Sequence, residues 1–159
     1  MSEYTQFFIR NGDNFLPIGT YCRSSKVAEA FRYIAPYEEI KPLTVSNLRS
    51  ARDELREQIR DYDKSIERER EEIDFLRSCA MDNDERMERY HDATEMINDC
   101  SDFKDECAHA LSFIGFLEDI LEEAETERKF GENPLQLNEN SYVYVGIEVG
   151  YPTIENIEG

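Results

Sequence analysis

The amino-acid sequence predicts an α+β protein: a long antiparallel helical hairpin, wound as a coiled coil, clamped at its base by a small antiparallel sheet and a short helix. Three observations carry this expectation. Between Leu48 and Ala124 apolar residues recur at alternating steps of three and four, the seam of helices packed side by side. A short polar stretch, Ala80-Met81-Asp82-Asn83-Asp84, divides that run and is the best place for a reversal. The flanks are rich in aromatic and β-branched residues instead, as strands are. The 159 residues are expected to form one domain in three parts: a β-hairpin plus short helix over 1–43, the helical hairpin over 44–130, and a C-terminal strand and tail over 131–159.

The elements follow in order. Tyr4 to Arg10 reads as a strand that stops at Asn11-Gly12-Asp13-Asn14, a strong turn signal. Phe15 to Cys22 is the return strand, and Pro17 and Gly19 mark it as an edge or bulged one. Ser24 or Ser25 caps a short helix to about Ile34, with Val27, Ala30, Phe31 and Ile34 on one face. Pro36 ends it, and Pro42 closes the following linker.

Ser46 or Thr44 then caps the first long helix. Its seam combines Leu48, Leu55, Tyr62 and Leu76 with Ile59, Ile66 and Ile73, interrupted by Arg52 and Glu69. After the reversal, Asp82 or Asp84 caps the second helix, whose seam runs Met96, Cys100, Phe103, Cys107, Ala110, Ile114, Leu117, Leu121, Ala124. From Leu111 to Leu121 apolar residues surround most of that helix, so several sides should be covered. Ser141 to Val149 alternates, with Val143, Val145, Ile147 and Val149 on one face, and is expected to complete a three-stranded sheet.

Composition narrows the function. Net charge is -18, from 36 acids against 18 bases; nucleic acid and anionic membrane repel such a chain, so direct binding to either is disfavoured. Basic protein surfaces are the natural partners, including those that ordinarily hold nucleic acid. Met1-Ser2-Glu3-Tyr4 lacks the basic-then-apolar pattern of a signal peptide, and no apolar run approaches the ~20 residues that span a bilayer. The four cysteines have no framework spacing. A soluble, cytoplasmic protein with free thiols is expected.

The charge is concentrated. The first long helix, Leu48 to Arg77, carries ten acids and eight bases, whereas Tyr90 to Glu127 carries twelve acids and one base, Lys104. Asp92, Glu95, Asp99, Asp102 and Glu106 recur at steps of three and four, which places them on one helical face about 5 Å apart per step. A carboxylate row at that pitch approximates a run of DNA phosphates, spaced ~3.4 Å per nucleotide along a strand. Glu118, Asp119, Glu122 and Glu123 extend the footprint. The plainer reading is a solvated outer face.

Catalytic and metal chemistry find little support. Glu88-x-x-His91 and Glu106-x-x-His109 echo di-iron carboxylate motifs, but both lie on one helix about five turns apart and cannot share a metal within a hairpin. Cys100 and Cys107 fall on the seam without a Cys-x-x-Cys partner, as buried small hydrophobes do. No nucleophile elbow or Gly-rich phosphate cradle is present. No enzyme activity, cofactor or metal is expected. Tyr142 and Tyr144 share the strand face opposite the valines, a candidate aromatic patch.

The layout of Phe7-Phe8-Ile9-Arg10-Asn11-Gly12, Phe15-Leu16-Pro17-Ile18 and Val143-Tyr144-Val145-Gly146-Ile147-Glu148 around a heptad hairpin resembles small uncharacterised acidic coiled-coil proteins of bacteriophages and mobile elements. The resemblance implies a protein deployed against host machinery in the bacterial cytoplasm, as small acidic inhibitors of CRISPR and other defence systems are. Three readings follow. The first is a non-enzymatic inhibitor whose acidic helix docks on a basic, nucleic-acid-binding surface of a host defence protein. The second is a structural or adaptor module that self-associates, for instance as a homodimer, with Arg52 and Glu69 pairing across subunits. The third is capture of a small signalling molecule near the sheet.

Overall fold

In a computed structural model, described over residues 4–11, 14–34, 40–130 and 143–150, the chain is α+β. A four-stranded antiparallel sheet is joined by long helices that pack against each other. The elements are β1 (Tyr4–Asn11), β2 (Asn14–Cys22), α1 (Lys26–Ala30), β3 (Ile40–Pro42), α2 (Val45–Ser78), α3 (Asn83–Phe130) and β4 (Val143–Gly150). They divide into two compact units, Met1–Glu54 with Ala110–Gly159, and Leu55–His109.

In the first unit the sheet order is β2-β1-β4-β3. The β1–β2 hairpin forms where the Asn-rich turn placed it, with Asn11 opposite Asn14. Its register shifts between Phe7 and Phe8, which pair with Gly19 and Pro17 and leave Ile18 as the extra residue of a bulge. Pro17 is tolerated because β2 is an edge strand. The three-stranded sheet expected from the sequence gains a strand: Ile40–Pro42, read as the end of a linker, pairs with β4 from Glu148 to Gly146.

Alternation divides β1 between two buried layers. Phe7 meets Phe31, Phe113 and Tyr21 edge-on, at centroid distances of 5.0, 4.9 and 6.1 Å. This is where the apolar stretch of α3 meets the sheet: Ile114, Leu117 and Leu121 are buried, although Phe116 stays exposed. On the opposite face Phe8 packs with Phe15 and Ile40. That face also buries Gln6 beside its β4 partner Glu148.

The caps explain two helix boundaries. Ser25 Oγ accepts from the Ala28 N–H at 3.1 Å and starts α1, which ends at Ala30 with Phe31 as C-cap rather than running to Ile34. At α2 the cap is Thr44 and not Ser46. Thr44 Oγ1 accepts from the Asn47 N–H at 3.1 Å, and Asn47 Oδ1 accepts from the Thr44 N–H at 3.0 Å, a reciprocal capping box with Asn in the place of Glu or Gln. Within this unit the Arg52 guanidinium donates to Glu118 Oε1. Arg52, expected on the seam, yields its place to the fully buried Ala51.

In the second unit the contacts between helices fall in reverse order along the chain. Cys107 Sγ meets Gln58 Oε1 at 3.9 Å, Tyr62 stacks on Phe103 at 5.5 Å, Lys104 pairs with Asp63, and Arg89 Nε donates to Glu72 at 2.8 Å. The helices therefore run in opposite directions here. The Arg86 guanidinium reaches back to the Cys79 and Met81 carbonyls at 2.7 and 3.2 Å. It satisfies the Cys79 carbonyl, left open where α2 ends, and the Met81 carbonyl of the connection to α3.

Candidate functional site

The candidate face lies on the α3 part of the second unit. Its position follows from which α3 residues are buried: Ala93, Cys100 and Cys107, a strict seven-residue series and hence one stripe of the helix. Asp92, Asp99 and Glu106 each precede a member of that series, and Glu95 and Asp102 sit two positions beyond one. All five carboxylate residues are exposed. Each like-charge i,i+4 neighbour costs an isolated helix a few tenths of a kcal/mol, and the burial of Ala93, Cys100 and Cys107 works against that cost.

The nearby Lys104 and Arg89 are engaged by carboxylates of α2 rather than by the row. Lys104, the only base between Tyr90 and Glu127, is engaged by Asp63 of α2. Arg89 is held by Glu72 and lies 5.9 Å over the Phe75 ring. His91 Nε2 stands 3.7 Å from Glu95 Oε2. Lys104 and Arg89 thus have acidic partners on α2, and the face keeps its negative character.

The extended footprint divides. Glu118 is committed to Arg52. Asp119 and Glu122 are exposed, and Glu123 lies in α3 with its side chain outside the described residues. Tyr142 also lies outside them; Tyr144 stands opposite Arg10 in β4, with its side chain outside the described set.

Two residues read as seam are not enclosed by it. Met96 and Phe103 remain 47% and 42% exposed. Ala93 is buried in the seam, though absent from the expected series. The signal that could have located it is the backward extension of the Cys100–Cys107 spacing by seven. Beside Met96 an open groove of about 400 Å³ is lined by Arg68, Glu69, Glu72, Arg89, Asp92 and Ala93.

Comparison of the chain with known protein families, with curated proteins and with solved structures finds no match. The chemistry of the face is therefore argued from its own residues. Among the described residues no group of three or more His, Cys, Asp or Glu is placed to hold a metal ion, and no helix is long and apolar enough to cross a membrane. Cys100 and Cys107 are buried thiols and Cys22 is exposed. What the arrangement offers is a line of exposed carboxylates on one helix, able to accept charge-assisted hydrogen bonds from Lys or Arg.

Proposed function

We propose that this chain is a non-enzymatic binding protein whose α3 carboxylates dock on a basic surface of a partner protein, of the kind that ordinarily receives nucleic acid. In this reading the long helices form a coiled-coil hairpin that holds the row straight. The observation that carries the reading is the exposure of Asp92, Glu95, Asp99, Asp102 and Glu106 along one helical face, with Lys104 and Arg89 engaged by α2 carboxylates. Deployment by a bacteriophage or mobile element against a host defence protein fits such a surface, because occupying a phosphate-binding groove requires charge and shape but no chemistry. Association should be fast and weaken with salt, since exposed charges are screened beyond ~8 Å at physiological ionic strength.

The test is capture from a nuclease-treated bacterial lysate, eluted along a salt gradient, using the natural chain and the paired reversal Asp99→Lys with Asp102→Lys. A basic protein held by the natural chain, released by salt and lost by the reversal would support docking. Equal retention by a folded reversal variant sinks it. In the alternative, self-associating reading Arg52 could pair with Glu69 across subunits; within one chain Arg52 pairs with Glu118.

A further inference from the structure

The acidic row is not acidic throughout. Met96 is flanked by Asp92, Glu95 and Asp99, and Phe103 by Asp99, Asp102 and Glu106, in both cases at offsets of minus four, minus one and plus three. Two partly exposed apolar side chains, Met96 and Phe103, therefore stand seven residues apart beside the carboxylates. The two lie about 10 Å apart along the helix axis. A phosphate-binding groove has no use for such residues, and covering their exposed parts would gain apolar burial.

We infer that the partner element seated on this face is an amphipathic α-helix, with apolar residues at seven-residue spacing and Lys or Arg beside them. This rests on the docking reading and narrows it from a basic surface in general to a basic helix. Two helices packed at a shallow angle bring side chains into register every two turns, which is the Met96–Phe103 repeat. The groove beside Met96 is lined mainly by charged residues, Glu69, Glu72 and Asp92 among them, and so receives a basic side chain bordering the partner's apolar stripe rather than the stripe itself. The Phe103 ring, stacked on Tyr62, offers a flat apolar platform for that stripe. The carboxylates at 92, 95, 99, 102 and 106 then meet basic residues bordering the apolar stripe, a helix-in-groove mode with charged rims. A second copy of this chain fits poorly: an isologous contact centred on this face would set the row against itself.

The probe is a synthetic three-heptad peptide with one Leu per heptad bordered by Lys, compared with an isomer of the same composition whose Leu residues leave the seven-residue spacing. Binding to the full chain is followed by fluorescence anisotropy at low and physiological salt. The heptad peptide should bind about tenfold more tightly than its isomer. Met96→Ser with Phe103→Ser should erase that preference while leaving the charge-driven part. Should Phe103→Ser disturb packing through Tyr62, Met96→Ser alone should reduce the preference. Equal affinity for the two peptides would overturn the helix inference and leave acidic docking standing. Binding of neither peptide, even at low salt, would overturn both.

Discussion

Arg52 and Glu118, 66 residues apart, form an ion pair in which the guanidinium Nη2 donates to Glu118 Oε1. The pair joins α2 to α3 at the rim of the sheet-bearing unit and removes both residues from the roles their sequence positions suggest. Both side chains are about a third exposed, 29% and 36%, so water and salt weaken the attraction. Glu118→Gln should cost under about 1 kcal/mol in urea unfolding. It should also leave partner binding intact, unlike the Asp99/Asp102 reversal. A binding loss equal to that of the reversal would place Glu118 within the docking face after all.

Gly19 is constrained by its neighbours. A Cβ at this position would lie 2.8 Å from Cε1 and Cζ of Phe113 and 3.1 Å from Cε2 of Tyr21. The Phe113 ring cannot easily retreat, because Phe7, Tyr21 and Phe116 surround it. Gly19→Ala should destabilise the protein by about 1–3 kcal/mol, the usual cost of overpacking. Adding Phe113→Leu should recover part of that loss, visible as a non-additive double-mutant cycle in urea melts.

Gln6 is 1% exposed, and neither Oε1 nor Nε2 of its amide has a hydrogen-bond partner. A buried amide without partners costs about 1–3 kcal/mol relative to one that is satisfied. Gln6→Leu removes both polar atoms at similar volume and should raise the thermal midpoint. A lower midpoint would mean that the amide is satisfied in solution, for example by an internal water.

Burial pushes the Tyr21 phenol above its ordinary pKa, because the protein disfavours the phenolate. The sign follows from proton binding. Above about pH 10 an unfolded chain ionises this tyrosine while the folded one still holds its proton, so the unfolded state binds fewer protons and stability falls with pH. Tyr21's contribution is complete below that pH and is lost as pH rises through the folded pKa. Urea midpoints compared across this alkaline window should fall less steeply for Tyr21→Phe than for the natural chain.

Local patterns carried much of the architecture. The Asn11–Asn14 turn, the alternation of β4 and the Cys100–Cys107 spacing each mark their element without tertiary help. What escaped depends on distant contacts or on small residues. Ile40-Lys41-Pro42 is too short to show a period, and only its pairing with β4 makes it a strand. Thr44 prevails over Ser46 because the Asn47 side chain completes the reciprocal cap, a pattern hidden when only Glu or Gln is sought at that position. Ala51 and Ala93 are buried although small, and hydrophobicity alone ranks Met96 above Ala93. The five carboxylates could be placed on one face from spacing. The exposure of Met96 and Phe103 among them could not, because it depends on the rotation of α3 against α2.

The order β2-β1-β4-β3 has a consequence for how the protein is made. The strand lying between β1 and β3 leaves the ribosome after all the other described strands and after both long helices. Until it arrives, β1 presents a bare backbone edge along Tyr4–Asn11 with Phe7 and Phe8 beside it, and such an edge recruits strands from other chains. A polysome stalled or prematurely terminated in the α3 codons would release molecules with long helices and an open sheet. In such fragments the open edge is the central strand β1, which β4 covers in the complete sheet.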